Sequence, residues 1–357
     1  MVEETIEQKI EQGQLDDDDF YKKLNEETGD AVQPYHKYIA VVNADGDNFG
    51  KYVQNLKADK QKLREFSEEL IKYGKKAKDL IEAYGGASVY IGGDDLLFFA
   101  PVVSRDTDGQ RKTIFDLIRA LDNCFYDHFP PDRTPLSLSY GISFTYYKYP
   151  LNEALLESYG LLQQVKENGT HQDKKKHPNK NAIAFKVLKH SGQFFEAVID
   201  KAKPDKQAGE WKYPGESLYQ QFSELVSGEI EKEGFINSLT HNMAFFQELF
   251  GELLLNVVDE TEVEKGEHAI DQLFENNLNE SIHKEAANKK FIQQVVAFIK
   301  TVYAHLRKVP DEAYTDEQGN STPHQLKSED ALKIIYSALR FVHFVRSTNQ
   351  NKPKQHV

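Results

Sequence analysis

The stretch Tyr90-Ile91-Gly92-Gly93-Asp94-Asp95-Leu96-Leu97 sets two glycines and two carboxylates between apolar, strand-like runs. Ala87 to Ile91 and Leu96 to Ala100 read as short buried strands, so the residues between them form a tight turn that presents both carboxylates at one sheet edge. Acidic oxygens held in this way can carry divalent metal over phosphates. The same four residues also suit a plain solvated turn, because glycine supplies positive φ and aspartate supplies local hydrogen bonds. On this stretch alone the two readings stand side by side.

A second acidic motif shifts the balance. The β-branched run Tyr38 to Asn43 leads directly into Ala44-Asp45-Gly46-Asp47-Asn48-Phe49-Gly50, and a helix-forming segment follows from about Lys51. A carboxylate at the end of one central strand can converge with a carboxylate hairpin on its neighbour. The element order supports convergence: strand 38–43, helix 60–83, strands 87–91 and 96–100, helix 110–128 and strand 136–145 spell βαββαβ. This is an α+β, ferredoxin-like arrangement in which the first strand lies centrally beside the hairpin. Asp45 then falls next to Asp94 and Asp95, as in the palm of nucleotide polymerases and cyclases, with the three carboxylates expected within roughly 4–6 Å of one another. Two Mg²⁺ ions there would bind triphosphate oxygens, lower the pKa of an attacking ribose hydroxyl and stabilise departing pyrophosphate.

The Asp-Gly-Asp-Asn-Phe-Gly strand end and the Gly-Gly-Asp-Asp hairpin resemble the second palm domain of the polymerase-like large subunit of type III CRISPR effector complexes. More distantly they resemble GGDEF diguanylate cyclases. The likeness continues through Ser139-Tyr140-Gly141-Ile142-Ser143, the helix Leu151 to Val165, Lys166-Glu167-Asn168-Gly169 and the strand Ala182 to Val187. It implies Asp45 as a metal ligand, helped by the Gly46 carbonyl, and Asp94 as the second main ligand. Asp95 is implied either as a further ligand or as the group that positions the attacking hydroxyl. The glycines Gly92 and Gly93 would shape the hairpin against the nucleotide, the amides of Asp47, Asn48 and Phe49 would hold phosphate oxygens, and Lys166 would reach the phosphates. Two residues also have structural readings: Asp47 as an Asx-type cap of the following helix, and Lys166 as a solvated partner of its helix C-terminus.

The resemblance implies ATP as substrate, Mg²⁺ or Mn²⁺ as cofactor, and an adenylate second messenger as product, either a cyclic oligoadenylate or an AMP conjugate. Val53 stands where the cyclases carry a guanine-reading asparagine, which disfavours guanine. Partners would be other subunits of a type III ribonucleoprotein complex, or a second palm from a separate fragment or a second copy, with nucleic acid met mainly through the complex. Two other readings are a free-standing cyclase-like signalling enzyme and a non-catalytic palm that docks partners. Intact Asp45, Asp94 and Asp95 argue against the scaffold, since clustered carboxylates without metal repel one another.

Composition bounds the rest. The 357 residues carry 44 basic and 57 acidic side chains, a net charge of −13, 39% apolar content and a mean hydropathy of −0.63, which describes a soluble globular chain without a global basic grip on nucleic acid. No apolar run is long enough to span a bilayer, and one cysteine, Cys124, fits a reducing cytoplasm and cannot build a four-thiolate zinc site. Cys124 shares a helix face with Leu117, Leu121 and Phe125 and is read as core. No His-Asp dipeptide of a nuclease domain occurs, so the chain looks like the C-terminal half of such a subunit or a short version of it.

The expected organisation is a charged extension or linker over 1–35, the palm over 36–190, a helical domain over 191–347 and a tail over 348–357. The basic loop His171 to Lys180 follows Lys166 and is read either as an attractor of triphosphates or as a solvated loop. Helical spacing marks Gln193–Lys203, Glu216–Ser227, Phe235–Val257, Ala269–Asn277, Lys289–Lys308 and Ser328–Arg346, with Pro204–Gly215 and Asp311–Pro323 as loops. The aromatic stripe Phe245, Phe246 and Phe250 is read as core.

Overall fold

A computed structural model describes residues 33–106, 108–167, 180–227, 286–305 and 328–346, together with His268 and Gln272. The extension before residue 33, most of the basic loop, the helix expected at 235–257, all but Gln272 of the helix expected at 269–277, the loop expected at 311–323 and the tail lie outside the described residues. The central sheet has the order β2-β3-β1-β6-β7-β8. Its strands are β1 (Tyr38–Asp47), β2 (Ala87–Gly92), β3 (Asp95–Pro101), β6 (Ser137–Tyr146), β7 (Ala182–Leu188) and β8 (Phe194–Asp200). Between them come the short pair β4 (Val103–Arg105) and β5 (Arg111–Thr113).

Helices α1 (Phe49–Leu56), α2 (Lys60–Ala83) and α3 (Ile114–His128) connect the first four sheet strands, in the expected βαββαβ order. The β1 strand pairs antiparallel with both β3 and β6, which places it centrally. α2 starts at Asp59, whose carboxylate accepts from the amides of Gln61 and Lys62, and buries the stripe Phe66, Tyr73, Ala77 and Ile81. α3 starts with a capping box in which Thr113 and Asp116 exchange bonds, and buries Phe115, Ile118, Leu121 and Phe125.

The period of two in the strands separates the sheet faces. Ala40, Val42 and Ala44 of β1, Leu138, Tyr140, Ile142 and Phe144 of β6, and Ile183, Phe185 and Val187 of β7 enter one large core. α2 and α3 fill it, joined by α5 (Leu218–Ser227), α6 (Ala286–His305) and α7 (Ser328–Arg346). The rings of Phe115, Phe222 and Phe341 meet there, with centroids 4.7 Å (Phe115–Phe222) and 5.0 Å (Phe115–Phe341) apart. The opposite face is covered by α4 (Leu151–Glu167), which rests on β6, β7 and β1 over a small cluster of Leu161, Val165, Ala182 and Ala184.

Several expected elements differ from the structure. The first strand runs on through Asp45 and Gly46 to Asp47, and its helix opens at Phe49 rather than Lys51. The segment Gln193–Lys203, expected as helix, contains β8, an edge strand antiparallel to β7. Its apolar residues fit both periods, and pairing with β7 settles the choice by burying Phe195, Ala197 and Ile199 in the large core. The segment 204–215 carries a small hairpin, β9 (Asp205–Gln207) with β10 (Glu210–Lys212). The helix expected from residue 110 starts at Ile114, because Arg111–Thr113 pair with β4. Ser337 on α7 donates to the Glu196 carbonyl at 2.7 Å, so sheet and described helices share one body of packing across residue 190.

Gly141 sets how closely α4 approaches. A Cβ there would stand 2.2 Å from the Ser158 carbonyl oxygen and 2.4 Å from the Leu162 nitrogen, both helix backbone. Gly141→Ala is expected to cost roughly 1–3 kcal/mol or more, because backbone on both sides must separate. Urea unfolding monitored by circular dichroism checks this.

Candidate active site

The site grows from two strand ends. Ala44 pairs with Leu96 as the last register pair of β1 with β3, and Asp45 pairs with Ser139 on β6, so Asp45 lies at the sheet edge reached by the hairpin. That hairpin is tighter than expected: Gly92 pairs with Asp95, leaving Gly93 and Asp94 as the tip. Gly93 has φ +83°, a conformation that glycine adopts without steric cost. Gly46 lets the tip come close, since a Cβ on it would meet the Phe49 ring at 2.4 Å and the Asp94 Cβ at 2.7 Å.

One carboxylate oxygen from each of Asp45, Asp94 and Asp95 lies within 4.8 Å of the others, inside the expected range. Burial, helped by the nearby Asp45 charge, raises the Asp94 carboxyl above its usual range. Asp95 is pushed up to about 7, first by desolvation and then by its hydrogen bond and charge contact with Asp45. A cluster of three carboxylates in which burial and neighbouring charge disfavour ionisation of Asp94 and Asp95 is under electrostatic load that a cation relieves. An all-oxygen donor set suits a hard divalent ion such as Mg²⁺ or Mn²⁺.

Lys166 comes from the last turn of α4, on the face of the sheet that carries Asp45. Its ammonium touches the Asp45 carboxylate, donates to the Gly46 carbonyl at 2.8 Å and the Asp45 carbonyl at 3.1 Å, and lies 2.9 Å from an Asp47 oxygen. Lys166 therefore points into the site, with only 12% of its side chain exposed, rather than into solvent beyond the helix end.

Asp47 has a different environment from the other three. It is fully buried, and its carboxylate accepts from Ser137 Oγ at 2.7 Å, Ser139 Oγ at 2.9 Å and the Asn181 amide at 2.8 Å. It does not cap the following helix: the N-cap of α1 is Asn48, left-handed at φ 64°, and Asp47 belongs to the β1 ladder. Asn48 donates to the Pro135 carbonyl and accepts from Lys180 at 3.3 Å, which brings one end of the basic loop to the start of α1. Phe49 is anchored against Phe66, Phe125 and Phe129. Val53, one turn further along α1, is half-buried against the core.

Ser137, Ser139 and Asn181 were not evident from motif spacing. One signal was available: Ser137, Ser139, Gly141 and Ser143 recur at every second position of an otherwise apolar strand, marking a polar face. Cys124 is half-buried against the core, and burial raises its thiol pKa, which suits packing rather than nucleophilic attack.

Residues 38–184 match the sequence profile of the Cas10/Cmr2 second palm domain. Over that span the chain is similar to a Cas10/Cmr2 second palm domain. Among solved structures, it is similar to a subunit of the type III-B Cmr-beta complex bound to cognate target RNA, with 13% identity over 90% of this chain and 40% of that one, at a TM-score of 0.45. The Csm1–Csm4 cassette in complex with one ATP gives 16% identity over 84% and 36%, at 0.34. The active GGEEF domain of a diguanylate cyclase from Vibrio cholerae gives 19% identity over 37% and 79%, at 0.28. The chain thus spans about two fifths of the length of the type III proteins it matches. No curated protein matches it in sequence. No helix among the described residues is long and apolar enough to cross a membrane.

The protonation of this palm edge has a measurable sign. Asp95 holds its proton more tightly folded than unfolded, so its stabilising contribution is complete below about pH 4 and is lost as pH rises through about 7. Without metal, Asp95→Asn is therefore expected to raise the melting temperature at pH 8 and to change it little at pH 4. With Mg²⁺ or Mn²⁺ the wild type should gain stability mainly above pH 7, and Asp95→Asn should gain less. Thermal melts with EDTA or metal across this range check both.

Proposed function

We propose that the chain is a divalent-metal-dependent nucleotidyltransferase of a type III CRISPR antiviral system, which converts ATP into an adenylate second messenger and releases pyrophosphate. The observation that carries this reading is the convergence of Asp45, Asp94 and Asp95 within 4.8 Å, with the Lys166 ammonium against Asp45, in a segment that matches the Cas10/Cmr2 second palm domain. Asp45 and Asp94 would hold the metal, with the Gly46 carbonyl beside them. When bound, the metal neutralises triphosphate charge and activates the attacking hydroxyl.

The chain's own residues do the rest. A ribose hydroxyl of the acceptor forms a bond to the α-phosphorus while the bond from that phosphorus to the bridging oxygen breaks, and pyrophosphate leaves with that oxygen. Asp95, pushed up to about 7, is matched to orient the hydroxyl and take its proton. Lys166 meets phosphate charge next to the carboxylates, and Lys180 with the amides of Asn48 and Phe49 offers a second anion contact at the start of α1. Gly93 keeps the tip of the hairpin backbone open to the nucleotide, and Gly92 leaves room for the neighbouring Tyr90 ring. Val53 offers no polar group to read guanine, in keeping with adenine. The acceptor would be held by a second palm, from a partner subunit of the ribonucleoprotein complex or from another copy.

The test incubates the chain, with the subunits of its complex and target RNA, with Mg²⁺ or Mn²⁺ and each nucleoside triphosphate, with and without S-adenosylmethionine, and resolves products by mass. Electron paramagnetic resonance follows Mn²⁺ binding in the presence of ATP. Asp45→Ala and Asp94→Ala are each expected to reduce product formation and Mn²⁺ binding by about 100-fold or more. Full turnover and full Mn²⁺ binding in both variants would sink the assignment.

A further inference from the structure

The edge strand β2 breaks register just before the acidic hairpin. Ala87 pairs with Phe99 and Ser88 with Phe98, but the next pair is Tyr90 with Leu97, so Val89 is an extra, bulged residue. In an unbroken ladder Tyr90 would face Leu96 and point toward the large core, as Leu96 and Phe98 do. The bulge turns it to the other face, where Leu97 lies and where Gly92 and Asp95 pair. Tyr90 is 56% exposed there.

Its ring does not project freely into solvent. A Cβ on Gly92 would stand 2.0 Å from the Tyr90 hydroxyl oxygen, 2.3 Å from Cζ and 2.6 Å from Cε1, so the phenol lies across Gly92 toward the turn. Only a residue without a side chain admits it. Asp95 is directly opposite Gly92, which puts the end of an exposed aromatic ring one cross-strand step from a site carboxylate. Half-buried Leu97 and Phe99 continue the apolar floor along β3, and α4 bounds it on the far side where Asn43 donates to Ser158 Oγ at 2.7 Å.

We propose that Tyr90 is a stacking platform for the nucleobase of a nucleotide whose phosphates engage the Asp45–Asp94–Asp95 edge. The inference rests on the nucleotide-site reading above and adds a residue to it. A flat ring beside charged groups suits a ligand that is aromatic at one end and anionic at the other. Stacking accepts any base, so Tyr90 contributes affinity and orientation, not the choice of adenine.

The test titrates the full-length chain, with Mn²⁺ present, with ATP and separately with inorganic tripolyphosphate, by calorimetry. Tyr90→Ala is expected to weaken ATP binding roughly 5- to 100-fold and to leave tripolyphosphate binding within about twofold. Tyr90→Phe and Tyr90→Trp should keep ATP affinity, and ATP should quench the fluorescence of the new indole. The position is exposed, so thermal melts should show Tyr90→Ala folded like the wild type. Unchanged ATP affinity in Tyr90→Ala, or equal loss for both ligands, overturns the platform. So does a Tyr90→Ala that separates a dimer in sedimentation without changing the ratio of the two affinities, since this would make the ring a contact between copies. If Asp94→Ala binds both ligands as the wild type does, the nucleotide site fails as a whole and Tyr90's role with it; loss of both in Asp94→Ala, with selective loss of ATP in Tyr90→Ala, supports both.

Discussion

The arrangement depends on concentrated negative charge at one sheet edge. Asp45, Asp94 and Asp95 lie within 4.8 Å of one another, a separation at which two full charges repel on the order of 1–4 kcal/mol between water-like and protein-like screening. The fold opposes that repulsion from behind. Core residues of β1 and β3 lock the ladder up to the Ala44–Leu96 pair, and Phe49 packs α1 down among Phe66, Phe125 and Phe129. Lys166 is the cation among the described residues that reaches both Asp45 and Asp47, and it arrives only because Gly141 lets α4 rest against β6. Helix placement on one face thus sets the electrostatics of the edge.

Asp47 ties that edge to a deeper polar network. Its carboxylate binds the Asn181 amide, and the Asn181 side chain donates to the Lys201 carbonyl at 2.7 Å. The Lys201 ammonium is fully buried and bonds both Asp122 oxygens, at 2.8 and 2.7 Å, while Tyr140 and Tyr213 hydroxyls donate to the same carboxylate. Burial lowers the Lys201 pKa, and Asp122 opposes that shift. A pair of this kind adds little net stability against an apolar alternative, yet removing one partner strands a buried charge. Its consequence here is geometric: the start of β7, the end of β8, α3 and the segment after β10 are held in one register behind Asp47.

How far the sequence revealed this followed the range of each interaction. The Gly-Gly-Asp-Asp turn, the strand into Asp45 and the α2 and α7 spans are local patterns and could be read directly. β8 was missed because Phe194, Phe195, Ala197 and Val198 satisfy helical and strand periods alike, and only β7 as a neighbour decides between them. The partners of Asp47 were missed because Ser137 lies 90 residues away and Asn181 134 residues away. The bulge at Val89 leaves no local mark either, since Ala87 to Ile91 reads as an ordinary short strand.

The strand period explains why so few residues are shared between stability and chemistry. Along β1, Ala40, Val42 and Ala44 enter the large core, while Asn43, Asp45 and Asp47 face α4 and its lysine. On β6, Leu138, Tyr140 and Ile142 pack inward while Ser137, Ser139 and Gly141 serve Asp47 and α4. A one-residue slip anywhere in these ladders would exchange the two sets and bury carboxylates in the aromatic core, so the core that stabilises the sheet also fixes the parity of the site. β2, at the sheet edge, has a neighbour on one side only and can absorb an extra residue without disturbing that parity elsewhere. The one register break in the central sheet therefore falls where it can re-aim a side chain onto the chemical face while Asp95, across the hairpin, keeps its place.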